Sequence, residues 1–432
     1  YLKNSSIILC QSKKKIKGTN FSLIKKVCQM IDKEWDIIVV GGGIAGLTTV
    51  SLLSKLGFRV LCVEPLRPPA QSKLQASDLR STAYLVNAVN LLKQAGLWKN
   101  LKEHAEQLKI MRICDAGEPR EIIQETSFNS KEVGLPHFGY NIPNWFTKKA
   151  ILSSINSCSN SKIIFGVKAV GLINRLNESI LKLSNGKMLS AKLIIGADGK
   201  DSDIRYLSNI CVKKWDNFQD AIACMVTHEK DHEGTSIEIL ETGGPCTLVP
   251  LKSSSDGKFR SAVVWMETRT QAKQLMHLNE KDFSNKLSER TKFVLGKCKL
   301  DTKRTIYPIT SQLAEKFYEG RVALIAEAAH VMPPIGAQGL NTSFEDISLL
   351  VRLLKKAVTT NSDIGALSLL REYGSIRRRI TKSKMIGINL LNNTSKSNSL
   401  LTKRLRKFGL GLINRNTILK TSLMKAGLGK FY

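Results

Sequence analysis

Three short stretches carry residue types that an ordinary core does not need. In VVGGGIAGL, Gly41, Gly43 and Gly46 are spaced G-x-G-x-x-G, and Glu64 follows eighteen positions after Gly46. Glycines at that spacing let backbone N–H groups approach a pyrophosphate, and an acid at that remove accepts hydrogen bonds from ribose hydroxyls. In GADGKDSDIR, Asp198-Gly199 is followed by Ser202 and Arg205; taken alone, Asp-Gly after a strand reads as a turn. In LIAEAAHVMPPIGAQGLN (324–341), an apolar run meets Glu327, His330, Pro333, Pro334, Gly336, Gly339 and Asn341. This third stretch is stiff and almost free of side-chain bulk, as a backbone must be to let a flat ring system lie against it.

The elements that would position these residues are readable around them. Asp36 to Val40 is a short apolar run of strand length, Leu47 to Leu56 has helical spacing ended by Gly57, and Arg59 to Val63 is apolar again, so the first motif is a strand, glycine turn, helix and second strand. In that context the motif predicts dinucleotide binding, without distinguishing NAD from FAD. KLIIGADG reads as a second buried strand and RVALIA (321–326) as a third. Beyond it, Phe344, Ile347, Leu350, Val351 and Leu354 fall at helical spacing. The third motif therefore delivers a helix N-terminus, whose free N–H groups and positive dipole favour negative charge; the pyrimidine edge of a reduced flavin carries such charge. SIEILETGGPCTLVPL and FRSAVVWMETR alternate enough to be strands.

A length of 432 residues and 42% hydrophobic content allow two or three folded domains. The nine cysteines are scattered, with no C-x-x-C pair and no zinc-ligand spacing, which points to a reducing compartment without disulfides or metal. The net charge of +30 is mostly terminal: residues 1–31 hold seven lysines and no acid, and residues 372–432 hold fourteen Lys and Arg against Glu372. That pattern suits an anionic membrane surface or a polyanion, or simply solvated lysine-rich faces. No run of eighteen apolar residues exists to span a bilayer. Residues 1–29 lack an amphipathic period and read as upstream translated sequence or a disordered tail, with an organelle transit peptide as the rival.

Together, Gly41-x-Gly43-x-x-Gly46 with Glu64, Asp198-Gly199-x-x-Ser202-x-x-Arg205, and Arg321 followed by Glu327-Ala-Ala-His330 and Pro334-x-Gly336-x-x-Gly339-x-Asn341 resemble, in order and spacing, the three fingerprints of single-component FAD-dependent aromatic hydroxylases. DLRSTAY (78–84), LLKQAGLW (91–98), FGYNIPNW (138–145) and GGPCTLVPL (243–251) also resemble the branch that hydroxylates polyprenyl phenols in ubiquinone biosynthesis. The likeness covers about 34–430. It departs at Ala326-Glu327, where the family usually has Gly-Asp; the carboxylate is kept, one methylene longer and beside an added Cβ, so FAD is still expected to bind.

The resemblance implies an α/β fold: a Rossmann-like FAD-binding domain of the p-hydroxybenzoate-hydroxylase type (32–108, 141–208 and 301–372), an interleaved β-sheet domain covering the substrate (109–140 and 209–300) and a basic helical C-terminal region (373–432), after a basic extension (1–31). Its implied cofactor-binding set is Gly41, Gly43, Ala45, Gly46, Glu64, Arg80, Asp198, Gly199, Glu327, Pro334, Gly336, Gly339, Leu340 and Asn341. Within it, Glu64 serves the adenosine ribose, Arg80 the pyrophosphate, Asp198 the phosphates and the transient NAD(P)H, Glu327 the ribityl chain, and Gly336 to Asn341 the isoalloxazine. FAD is the implied cofactor and NAD(P)H the co-substrate: O2 adds at flavin C4a, and its distal oxygen attacks the ring of a polyprenylated phenol. Implied too are a cytoplasmic enzyme on the inner face of a bacterial membrane, or on the matrix side of the mitochondrial inner membrane, and contact with other ubiquinone-biosynthesis proteins.

Alternatives stand beside this. His330 is a candidate base, or a histidine held by backbone hydrogen bonds within the turn. Leu401, Leu405, Phe408 and Leu412 fall at helical spacing among Lys403, Arg404, Arg406 and Lys407, a helix for anionic lipid, for the protein's own body or for a partner. An isoprenoid reductase on the same fold, a hydroxylase of another aromatic compound or a halogenase is possible, although the halogenase W-x-W-x-I-P stretch is missing. A basic nucleic-acid binder lacks any zinc-finger or RNP-type motif.

Overall fold

A computed structural model describes residues 31–32, 35–69, 78, 80–116, 121–397 and 399–429. The N-terminal extension, apart from its last residue, lies outside them.

Two sheets organise the chain. The first has six strands in the order Tyr318–Glu319, Val322–Leu324, Leu193–Gly196, Ile37–Val40, Val60–Glu64 and Ser161–Phe165. All its pairings are parallel except Tyr318–Glu319 with Val322–Leu324. Its central strands are continuous apolar runs, IIVV and LIIG, buried at every position, because helices cover the faces of a parallel sheet. The helix Ile44–Lys55 packs against the helices Asn144–Asn156 and Gln338–Thr359. Each fully buried Ile, Leu or Val in this layer contributes about 1.5–3 kcal/mol.

The second sheet runs His330–Val331, Thr305–Ala314, Val212–His228, Phe259–Thr268, Cys246–Leu251, Thr235–Leu240, Ile110–Ala116 and Ile122–Asn129, with Cys298–Leu300 paired to Val212–His228 off this path. Its strands are antiparallel except where Thr235–Leu240 runs parallel to Ile110–Ala116. One face packs Ile237, Ile239, Leu248, Val263 and Trp265 with Phe283 and Leu287 of the helix Glu280–Arg290. The other face looks toward the first sheet and walls a cavity between the two.

The strand pairing crosses one expected boundary. The segment 301–372 does not stay with the first sheet: Thr305–Ala314 pairs along Val212–His228, and His330–Val331 pairs with Thr305–Ala314. The third motif is thereby stitched to both layers.

The C-terminal region folds as the helices Leu367–Lys396, Leu400–Arg415 and Thr417–Leu428. The Leu400–Arg415 helix turns Arg406 inward, where it pairs with Asp115 at 2.6 Å, and Leu410 is buried with it. Phe408 (70% exposed) and Leu412 stay on the outer face. The side chains of Leu401, Lys403, Leu405 and Lys407 lie outside the described residues. No helix among the described residues is long and apolar enough to cross a membrane.

Candidate functional site

The three motifs sit at the carboxyl ends of three adjacent parallel strands. Ala197 N–H donates to Val40 O at 2.7 Å, Ile325 N–H to Gly196 O at 2.9 Å, and Gly41 N–H to Val63 O at 2.9 Å. Stretches 150 or so residues apart in sequence are therefore one hydrogen-bonded ledge, the place where ligands bind in open parallel sheets. The ledge is tight. A Cβ on Gly41, whose φ is +113°, would stand 2.2 Å from Ala197 O, and one on Gly46 would stand 2.0 Å from Gly41 O. Arg205 bolts the second motif to the third by donating to Ala328 O at 2.9 Å and Lys200 O at 2.8 Å. Arg321 faces away, bonded to Leu176 O, Lys192 O and Asp363.

A cavity of about 1060 Å³ opens from this ledge to the second sheet. Twelve of the fourteen expected cofactor residues line it: Gly41, Gly43, Ala45, Glu64, Arg80, Asp198, Gly199, Glu327, Pro334, Gly336, Gly339 and Leu340. Gly46 and Asn341 do not. Gly46 lets the Ile44–Lys55 helix close onto the Gly41 turn. Asn341 is buried and its amide is consumed by backbone: Nδ2 donates to Ala83 O at 2.8 Å and Ala337 O at 2.6 Å, and Oδ1 accepts from Leu85 N–H at 2.9 Å. Asn341 thus holds the strand Ser81–Leu85 against the start of the Gln338–Thr359 helix instead of reaching into the cavity.

The lining suits a dinucleotide with a flat ring. A Cβ at Gly43 or Gly339 would meet no atom within 4 Å, so both glycines leave open the space that a side chain would fill. The helices Ile44–Lys55 and Gln338–Thr359 start with no side-chain cap and no acid in the first turn, which leaves their first N–H groups for an anionic ligand. Glu64 accepts from Gly42 N–H and, at 2.9 Å, from Leu66 N–H; a carboxylate accepts about four such bonds, leaving capacity for ribose hydroxyls. Arg80 is held by Asp78 through Nε at 2.8 Å and Nη2 at 3.0 Å and lies over the Tyr307 ring. Burial pushes the Asp198 carboxyl up, against the bonds it accepts from Ser202 (2.5 Å) and Ile204 N–H (2.9 Å).

The Ala326 departure now has a measurable cost and a support. Ala326 sits at φ +54°, a left-handed conformation that costs a residue with a Cβ about 1–2 kcal/mol. Its N–H donates at 3.0 Å to Asp346 Oδ2. The same carboxylate takes His330 Nε2 at 2.6 Å and Arg377 Nε at 2.7 Å, and Arg377 also reaches Glu345 at 3.0 Å. Burial alone would raise the Asp346 carboxyl; His330 and Arg377 beside it hold it below the usual range. His330 is only 2% exposed, and with Nε2 committed to Asp346 it anchors the turn. It is held by a carboxylate, where backbone bonds were expected; the bond engages Nε2, and the residue still lines the cavity.

Four residues escaped the sequence reading: Asp78, Tyr307, Asp346 and Glu238. Asp78 stands two residues before Arg80 in DLR, a short-range signal that was available. Asp346 lies in the helix that follows the third motif, and helical spacing gives no sign of its partners His330 and Arg377. Tyr307 and Glu238 sit on strands whose alternation reveals two faces without saying what covers either. Glu238 lines the cavity from the second sheet, and burial pushes its carboxyl up to about 7.

Comparison with known proteins agrees with this architecture. A family described as FAD binding domain matches residues 34–385. A ubiquinone hydroxylase of Rhodospirillum rubrum is 28% identical over 399 residues, covering 92% of this chain and 90% of that one. The 3-demethoxyubiquinol 3-hydroxylase of Escherichia coli is 25% identical over 411 residues, covering 93% and 100%. Among solved structures, p-nitrophenol 4-monooxygenase of Pseudomonas putida superposes with a TM-score of 0.74 at 19% identity, covering 92% of this chain and 99% of that one. With its ledge, its glycine cradle and four-fifths of its length inside the matched region, the chain belongs to the FAD binding domain family, and FAD is its cofactor.

Proposed function

We propose that this chain hydroxylates the ring of a polyprenylated phenol in ubiquinone biosynthesis, using NAD(P)H and O2. The observation that carries this reading is the continuous cavity joining the glycine ledge to a wall of Leu108, Met111, Val249, Val264 and Ile309, which offers an aromatic ring with an apolar tail a largely apolar seat beside the cofactor. The named activities of the bacterial relatives point the same way.

In this reading the uncapped start of the Ile44–Lys55 helix and Arg80 receive the pyrophosphate, Glu64 the adenosine ribose, and Asp198 and Glu327 the phosphate and ribityl region. Gly199 keeps the second turn open beside them. Pro334, Gly336, Gly339 and Leu340 form the surface on which the ring system lies, and Asn341 supports that surface from behind. FAD, when bound, supplies electron transfer from NAD(P)H and the activation of O2. The chain's own work is to hold the phenol ring against that surface and to exclude water.

The outer faces of the C-terminal helices support peripheral contact with an anionic membrane, where such a substrate resides. Phe408, Leu412, Ile418 and Leu423 are exposed there among Arg404, Arg415 and Lys425, and each basic residue near the surface adds about 1 kcal/mol.

Turnover of a short-chain 2-prenylphenol by the FAD-loaded full chain, with NAD(P)H in 18O2, tests the reading. The expected product carries one labelled oxygen on the ring. Consumption of NAD(P)H with a saturated, unlabelled prenyl chain would replace the hydroxylase with a reductase.

A further inference from the structure

Opposite the ledge, the strands Thr235–Leu240 and Cys246–Leu251 wall the cavity, and one carboxylate, Glu238, lines it from these two strands. Glu238 is 9% exposed, and no hydrogen bond or ion pair reaches its carboxylate among the described residues. On its own strand the same face carries Ser236 and Leu240; across the pairing stand Thr247 on one side and Ile113 on the other. Of the two neighbouring strands, Arg112, Cys114 and Cys246 lie beside Ile237 and Ile239 on the opposite face, and only Asp115, level with Leu240, puts a charge on this one. Arg406 pairs with Asp115. Farther along the wall, Tyr307 also lines the cavity. A carboxyl buried without a partner is costly, and nothing in the packing of this sheet needs it: the strand's hydrophobic face, Ile237 and Ile239, points the other way.

We propose that Glu238 is the residue that accepts the proton of the substrate's phenolic hydroxyl. The inference rests on the ring-hydroxylase reading and names the group on this chain that meets the phenol. In the step, the phenolic O–H bond breaks, its proton forms an O–H bond with a Glu238 carboxylate oxygen, and the electron pair stays on the phenol oxygen, where it enriches the ring toward electrophilic attack. No electron is gained or lost by the protein. The environment suits proton transfer, because burial without a cationic neighbour brings the carboxyl to about 7, near the working pH at which a general base is most effective. Thr247 and Ser236, on the same face, are hydroxyls that could share the bound phenol's remaining lone pairs.

The decisive experiment compares FAD-loaded full-length wild type, Glu238→Gln and Glu238→Asp, with equal flavin content as the check on folding. In protein carrying side-chain 13C-glutamate, one carboxyl signal should titrate near pH 7, be absent from Glu238→Gln, and shift when a short-chain 2-prenylphenol is added. Hydroxylation by wild type should rise with pH through the same ionisation. The Gln variant should lose about 10²–10⁴-fold in hydroxylation rate together with that acidic limb, while still oxidising NAD(P)H, and the Asp variant should keep the limb at part of the rate. A Gln variant that hydroxylates at the wild-type rate with the limb intact overturns the assignment and leaves the hydroxylase reading standing, as does the absence of any Glu238 signal that answers the phenol. A Glu238 signal that answers the phenol in a protein that hydroxylates nothing keeps the contact and removes the hydroxylase reading.

Discussion

At the ledge end of the cavity the wall is backbone. Gly41, Gly43, Gly199, Gly336 and Gly339 supply surface without side chains, and the groups offered to a ligand are N–H donors at helix starts with Glu64, Arg80, Asp198 and Glu327 beside them. At the second-sheet end the wall is side chain, apolar except for a few hydroxyls and Glu238. The ledge is rigid because each turn is fixed by neighbours: Gly41 by Ala197, Ala328 by Arg205, Ala326 by Asp346. The far wall is a sheet face whose residues can change without moving the backbone. In the proposed reading the difference separates two kinds of recognition: the ledge would receive the cofactor through strand ends, and the second-sheet face would select the substrate.

The comparison can be broken most severely at the support of the ledge. Arg377 is fully buried against Asp346 and Glu345, so Arg377→Ala removes the cation the two buried carboxylates share and leaves Asp346 with His330 and Glu345 with Lys384 alone. We expect a loss of about 3–5 kcal/mol in stability, read by urea unfolding, and release of flavin as the third motif loosens.

At the far wall the expectation has the opposite sign. The Glu238 carboxyl is raised in the folded protein from 4.5 to about 7, so the folded state holds its proton more tightly than the unfolded chain does. The cost of burying the charge is absent below the unfolded value and fully present above about pH 7. Glu238→Gln should therefore stabilise the protein by about 3 kcal/mol at pH 8 and change little at pH 4, measured as the pH dependence of unfolding. A ledge residue that improves stability when neutralised would blur the distinction between the two ends.

A smaller effect separates cradle from scaffold. Gly43→Ala puts a methyl group into open cavity space and meets no atom of the protein. Thermal stability of the apoprotein should hold while FAD affinity falls about tenfold, or about 1.4 kcal/mol, by flavin fluorescence titration. The smallest expected change is Ala326→Gly. It relieves the left-handed alanine but frees the unfolded chain by a comparable amount, so stability should move by less than about 1 kcal/mol. A gain of several kcal/mol would mean that the Ala326 turn is far more strained than its Asp346 bond implies.

Much of the ledge was legible in the sequence because its chemistry is local. Gly41, Gly43 and Gly46 announce a turn within six residues, Glu64 follows from the length of one helix and strand, and Pro334, Gly336 and Gly339 declare a stiff, bare loop. Asn341 has the expected position in the motif, but its amide is drawn to Ala83 and Leu85, more than 250 residues earlier, a partner no spacing rule reveals. His330 reads as a candidate base because its own segment is all that sequence shows; Asp346 and Arg377, which hold it and its turn, come from two different helices.

By itself the sequence determined three glycine-rich turns, the strands that carry them and a nucleotide cofactor, because φ preference and the crowding of near neighbours are set within a few residues. Alternation in SIEILET likewise separated two faces of a strand. Only the tertiary structure decided that the polar face is a cavity wall instead of a wet surface, because burial depends on which distant segments cover a position. The charge state of Glu238 follows from that covering and from nothing within its own strand.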